Sequence, residues 1–105
     1  MSRRENIEAM LRDDPGDVLL RYMLAMELSS EGDLEGSVRG FRELIAEKPP
    51  YIPAFLMAAQ RLVQLDEVEE ARTVLREGIE EARRQGESHA AAEMADLLAS
   101  LGSFG

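Results

Sequence analysis

The order of apolar and polar positions is helical along almost the whole chain. Leu24, Leu28 and the small Ala25 form one stripe, and Leu34, Val38, Phe41, Leu44 and Ile45 form a second, at spacings of three and four residues. Between them lies SSEGD, residues 29–33, a turn that places Gly32 where a helix C-cap favours it. Ala58, Ala59 and Leu62 then mark a third helix, and Val68, Ala71, Leu75 and Ile79 a fourth, with Asp66 and Glu69 reading as a capping box at its start. Ile7, Met10 and Leu11 mark a leading helix near Asn6 to Asp13. From Glu87 to Leu101 a final helix carries Ala91, Met94, Ala95, Leu98 and Leu101 on one face and His89, Glu93, Asp96 and Ser100 on the other, with Gly102 as its stop and a loose tail from Ser103 to Gly105. The pattern predicts an all-α chain of about six helices.

The helices recur. Pro15 and Pro49, Ala25 and Ala59, Leu28 and Leu62, Ser37 and Ala71, and Phe41 and Leu75 are each 34 residues apart, large matching large and small matching small. Ile7 to Phe41, Met10 to Leu44, and Leu11 to Ile45 to Ile79 keep the same offset, so the period begins before the first full unit. Prolines punctuate it: Pro49 and Pro50 disfavour helix and end one unit, while Pro53 suits the first turn of the next helix, where a missing N–H costs nothing. A proline-rich ligand reading of PPYIP is the weaker account of the same residues.

This pattern resembles the tetratricopeptide repeat family, whose units of 34 residues are helix-turn-helix pairs stacked into a solenoid with a concave groove. Leu24, Ala25, Leu28, Gly32, Ser37, Phe41, Leu44 and Pro49 fall on the family's signature sites in the first unit, and Phe55, Ala59, Leu62, Ala71 and Leu75 in the second. Arg21 replaces a preferred aromatic and Arg83 a closing proline, which weakens one packing site and lets the last repeat helix run on to about Gln85, before Gly86. The resemblance implies one domain: a leading half repeat in 1–14, full repeats in 17–50 and 51–85, and a capping helix in 87–102. It also implies that Leu19, Tyr22, Met26 and Ser30, followed by Leu56, Gln60 and Gln64, line the concave side. The subgroup that grips acidic C-terminal tails uses Lys, Asn and Arg where this chain has Tyr22, Met26 and Met57, so that clamp is not expected.

Composition narrows the function. The chain has 105 residues, of which 45% are hydrophobic, enough for one folded domain with little surplus burial. A net charge of -9, with arginines interspersed among glutamates, argues against nucleic acid and anionic membranes as partners. With no Cys, disulfides, thiolate metal sites and thiol catalysis are excluded. No apolar run approaches a membrane span or follows Arg3 and Arg4 as in a secretion signal, and a cytoplasmic location is expected.

Candidate chemistry is sparse. His89, Glu93 and Asp96 share a helical face and have metal-ligand residue types, yet a solvated cap surface explains them as well. The carboxylates of DDPGD, residues 13–17, lack the alternation and distal Glu of a calcium loop; a helix end, a proline stop and an N-cap at Asp17 account for them. Gly32, Gly36 and Gly40 are followed by no Lys-Ser or Lys-Thr, so they are no phosphate cradle. Gly36 and Gly40 read either as loosely constrained outward positions, the simpler expectation, or as points of close approach.

Taken together, the expectation is a protein-binding module without catalysis, cofactor or metal, holding a protein or peptide segment at Tyr22, Met26 and Leu56. The alternative is a homodimer or larger assembly using the same apolar surface. A third and weaker reading makes the acidic surface a mimic of nucleic acid.

Overall fold

The computed structural model describes residues 2–102, so the tail expected at 103–105 lies outside the described residues. It contains α1 (Arg3–Asp13), α2 (Val18–Ser30), α3 (Leu34–Ile45), α4 (Pro53–Gln64), α5 (Val68–Arg84) and α6 (Ser88–Leu101), with no strand among the described residues.

Local chemistry sets most of the ends. Ser2 and Glu5 form a reciprocal capping box that starts α1 three residues before the sequence pattern suggested, and the Ser2 backbone N–H, which donates to the Glu5 carboxylate at 2.9 Å, and then the Ser2 hydroxyl hold the Glu5 carboxyl below its ordinary range. Asp17 accepts from the Leu20 N–H at 2.9 Å and Asp33 from the Gly36 N–H at 2.9 Å. Pro53 opens α4 as expected. Pro49 and Pro50 stand further from the helix end than expected: α3 closes at Ile45, and Tyr51 N–H returns to the Leu44 carbonyl at 3.0 Å.

The capping box expected at Asp66 does not form. Its φ is +64°, the N-cap is Glu67, and no side chain caps α5. The 34-residue register explains this: Asp66 corresponds to Gly32, and both take the left-handed position that closes the preceding helix. The same backbone bond follows each time, Asp33 N–H to Leu28, Glu67 N–H to Leu62, and Glu87 N–H to Ala82 at Gly86, at 2.8–2.9 Å.

Each helix packs on its neighbours in sequence, giving a stack of helix pairs that extends 44 × 29 × 18 Å. Phe41, Leu44, Leu75 and Met94 fill the core between fully buried alanines at 54, 58, 59, 71 and 82. Large side chains meeting small ones let the helices approach closely. Ser37 is also buried, and its hydroxyl donates to the Ala25 carbonyl of α2 at 2.6 Å.

Gly36 and Gly40 are not loose outward positions. Gly36 is buried beneath the capping Asp33 carboxylate, and a Cβ on Gly40 would lie 3.0 Å from that of Ala25. Gly78, which the sequence pattern did not single out, is tighter still: a Cβ there would lie 2.5 Å from Met94 Sδ and 2.7 Å from Phe55 Cβ. Exposed and half-exposed ion pairs tie the stack together along its length, namely Arg4–Glu31 at 3.0 Å, Arg21–Glu47 at 3.2 Å and, from α3 to α5, Arg42–Glu70 at 2.7 Å. No helix among the described residues is long and apolar enough to cross a membrane.

Candidate binding groove

The first helices of successive pairs, α2 and α4, meet α6 around a cavity of about 340 Å³. Tyr22 comes from α2; Leu56 and Met57 come from α4, whose entry supplies Ile52 and Pro53; Ala90 and Met94 come from α6. Glu87 and Glu93 stand on its rim. The lining is apolar and the rim anionic, with Glu93 also 3.5 Å from His89.

Tyr22 stands between two cavities. Its ring lies 5.6 Å from Phe41 and 5.5 Å from Tyr51, the second contact edge-on, which fixes the side chain against the core. Burial raises the Tyr22 hydroxyl pKa above its ordinary value, Tyr51 adds to the rise, and the nearby Arg61 cation opposes it. On its other side Tyr22 lines a second cavity of about 240 Å³ with Ile7, Met23, Met26 and Ser30, bounded by Arg3 and Glu27, themselves 3.7 Å apart.

Arg61 bridges α4 to α2 beside this surface. Its guanidinium reaches the Gln60 side-chain oxygen at 3.3 Å and the Met26 sulfur at 4.0 Å, but no carboxylate among the described residues, and its buried Nε has no acceptor. It is a cation held in place by packing.

Of the residues expected to line the groove, Tyr22 and Leu56 share the first cavity, and Tyr22, Met26 and Ser30 share the second. Leu19 is 59% exposed, Gln60 is engaged by Arg61, and Gln64 is exposed; these three line neither cavity. Ile52, Pro53, Ala90, Met94, Glu87 and Glu93 were missed. Met94 was assigned to the inner face of a cap, and it does reach the core, but α6 also occupies the place of a third first-of-pair helix. Carrying the repeat register past Gly86 would have found it.

Among the described residues no group of three acidic or histidine side chains is placed to hold a metal ion. What the site offers is a shaped apolar surface with fixed charges around it.

Comparison with known proteins gives the fold and stops there. No family model matches the chain, and no curated protein matches it. The solution structure of protein BPP2914 from Bordetella parapertussis is similar, with a TM-score of 0.82 and 22% identity over 96% of this chain and 88% of that one. At that identity the likeness is one of architecture.

Proposed function

We propose that the chain is a tetratricopeptide-type interaction module that holds a segment of another protein between α2, α4 and α6. The observation that carries this reading is the apolar cavity of about 340 Å³ shared by Tyr22, Leu56, Met57 and Met94 under the Glu87 and Glu93 rim. The 34-residue pairing supports the family assignment. A pocket of that size takes one or two apolar side chains, and methionines adapt to their shape. The acidic rim and the net charge of -9 favour Lys or Arg on either side of that anchor.

The test is selection of binders from an unbiased peptide display library, followed by titration of the best peptide against the protein and its Leu56→Glu variant. Enriched peptides should share an apolar anchor with basic flanks, bind less tightly as salt rises, and lose at least about tenfold in affinity to Leu56→Glu, or about 1.4 kcal/mol. Peptides that bind the variant equally well, or no enrichment at all, would remove the reading.

A further inference from the structure

Arg61 is a charge that the fold leaves without a counter-charge. Three other arginines are half-buried, and each has a carboxylate: Arg4 has Glu8 and Glu31, Arg21 has Glu47, and Arg72 has Glu69. Arg12, Arg39, Arg76 and Arg83 pair with no carboxylate among the described residues, but all four are exposed to water. Arg61 alone is both half-buried and unpaired. Removing a guanidinium from water is unfavourable unless an anion offsets the loss, and its planar fork is shaped for a carboxylate.

Its place in the fold says where that anion would come from. A guanidinium has five N–H groups; here Nη1 gives one to Gln60 at 3.3 Å, Nη2 gives one to the Met26 sulfur at 4.0 Å, and the buried Nε has no acceptor. The second hydrogen of each Nη therefore has no protein acceptor either. The neighbours are groove residues: Met26 lines the second cavity with Tyr22, and Tyr22 lines the first with Leu56. Burial raises the Tyr22 hydroxyl pKa, and the Arg61 charge works against that rise, so the cation is felt at the wall between the cavities. Leu56 stands five residues before Arg61 on α4, about 7.5 Å along the axis, which an extended peptide spans in about two to three residues. Arg61 is not at Tyr22, Met26 or Met57, the places that the tail-gripping subgroup of the family uses.

We infer that Arg61 receives the side-chain carboxylate of an aspartate or glutamate in the bound segment, about two or three residues from the apolar residue that fills the first cavity. This rests on the peptide-binding reading above and adds a direction to it. Basic residues next to the anchor face Glu87 and Glu93 on the α6 side, and the acidic residue lies further off, toward α2, where Arg61 meets Met26. Opposite charges at the two sides of the groove admit the segment in one orientation.

The test runs the peptide display selection in parallel on the wild type, on Arg61→Met, which keeps an apolar stem against Met26 without the charge, and on Arg61→Glu, with circular dichroism to check that each is folded. Peptides enriched by the wild type should carry Asp or Glu at the stated spacing from the apolar anchor. Arg61→Met should keep the anchor and lose that preference, and Arg61→Glu should exchange it for Lys or Arg. The best wild-type peptide, synthesised as a C-terminal amide, should bind Arg61→Met at least about tenfold more weakly, and the same peptide with that carboxylate replaced by its amide should bind both proteins alike. Arg76→Met, an exposed change of equal charge on α5, should alter neither affinity nor preference. Without peptide, Arg61→Met should hold or raise Tm, because no ion pair is lost. Peptides that keep the apolar anchor with no acidic preference, or whose acidic preference survives Arg61→Met, would overturn this inference and leave the module reading standing; no enrichment at all would overturn both. A marked fall in Tm for Arg61→Met would make Arg61 a structural residue, and binding that requires a free C-terminal carboxylate would move the contact to the chain end; either result also overturns the inference.

Discussion

Replacing Gly78 by Ala tests a close helix approach and its link to the groove. The new methyl carbon would stand 2.5 Å from Met94 Sδ, 2.7 Å from Phe55 Cβ and 2.8 Å from Phe55 Cγ. Met94 can turn aside, but Phe55 Cβ is tied to the α4 backbone, so the helices themselves must part. Overpacking of this kind costs about 1–3 kcal/mol. Against it stands a gain of about 1 kcal/mol from exchanging Gly for Ala inside a helix. The expected balance is a loss of up to about 2 kcal/mol, or up to roughly 10 °C in Tm for a domain of this size. Urea unfolding followed by circular dichroism measures it, with an unchanged m-value showing that the two end states are the same. Gly40→Ala is the internal control: its Cβ would meet Ala25 alone, the methyl at 3.0 Å and the Cα at 3.7 Å, so its cost should be smaller by at least about 1 kcal/mol. Because Met94 lines the cavity with Tyr22 and Leu56, the displaced sulfur should also reduce peptide affinity in Gly78→Ala and leave it unchanged in Gly40→Ala. A Gly78→Ala protein more stable than the wild type by about 1 kcal/mol, the unopposed gain of Ala over Gly in a helix, would refute the close approach of α4, α5 and α6.

Three further outcomes follow from particular contacts. Ser37→Ala removes the buried bond to the Ala25 carbonyl and should cost about 1 kcal/mol in urea unfolding; no change would mean that carbonyl is already satisfied within α2. Asp66→Gly should hold or raise Tm and Gly32→Ala should lower it by about 1 kcal/mol equivalent, since both positions have positive φ, and thermal scans showing the reverse order would contradict the shared turn. The raised Tyr22 pKa means that above pH 10.0, its ordinary value, the folded state keeps a proton the unfolded chain releases, so stability is retained below that pH and lost as pH rises through the shifted value. Tyr22→Phe should flatten the decline of Tm measured between pH ~9 and ~12, and an identical slope would deny Tyr22 that part.

What the residues declared on their own is what depends on near neighbours and recurs. Helix identity, the 34-residue pairing, the stops at Gly32 and Gly86 and the start at Pro53 all follow from side-chain periodicity and backbone chemistry within a few positions. Tyr22 and Leu56, which the family resemblance put on one side of the stack, line the same cavity. Asp66 was misread because a cap and a left-handed closing residue use the same side chain, and only the position of the helix before it tells them apart. The groove was read in part because its third wall depends on α5. That helix runs 17 residues where α3 runs 12, so the side of α6 that turns inward, with Met94 at the floor and Glu93 at the rim, is set by the packing of α5 at Gly78. Which Arg finds a carboxylate, as Arg42 does, and which is left on a sulfur, as Arg61 is, belongs to the tertiary structure alone, because charges distant in sequence meet only after the helices have stacked.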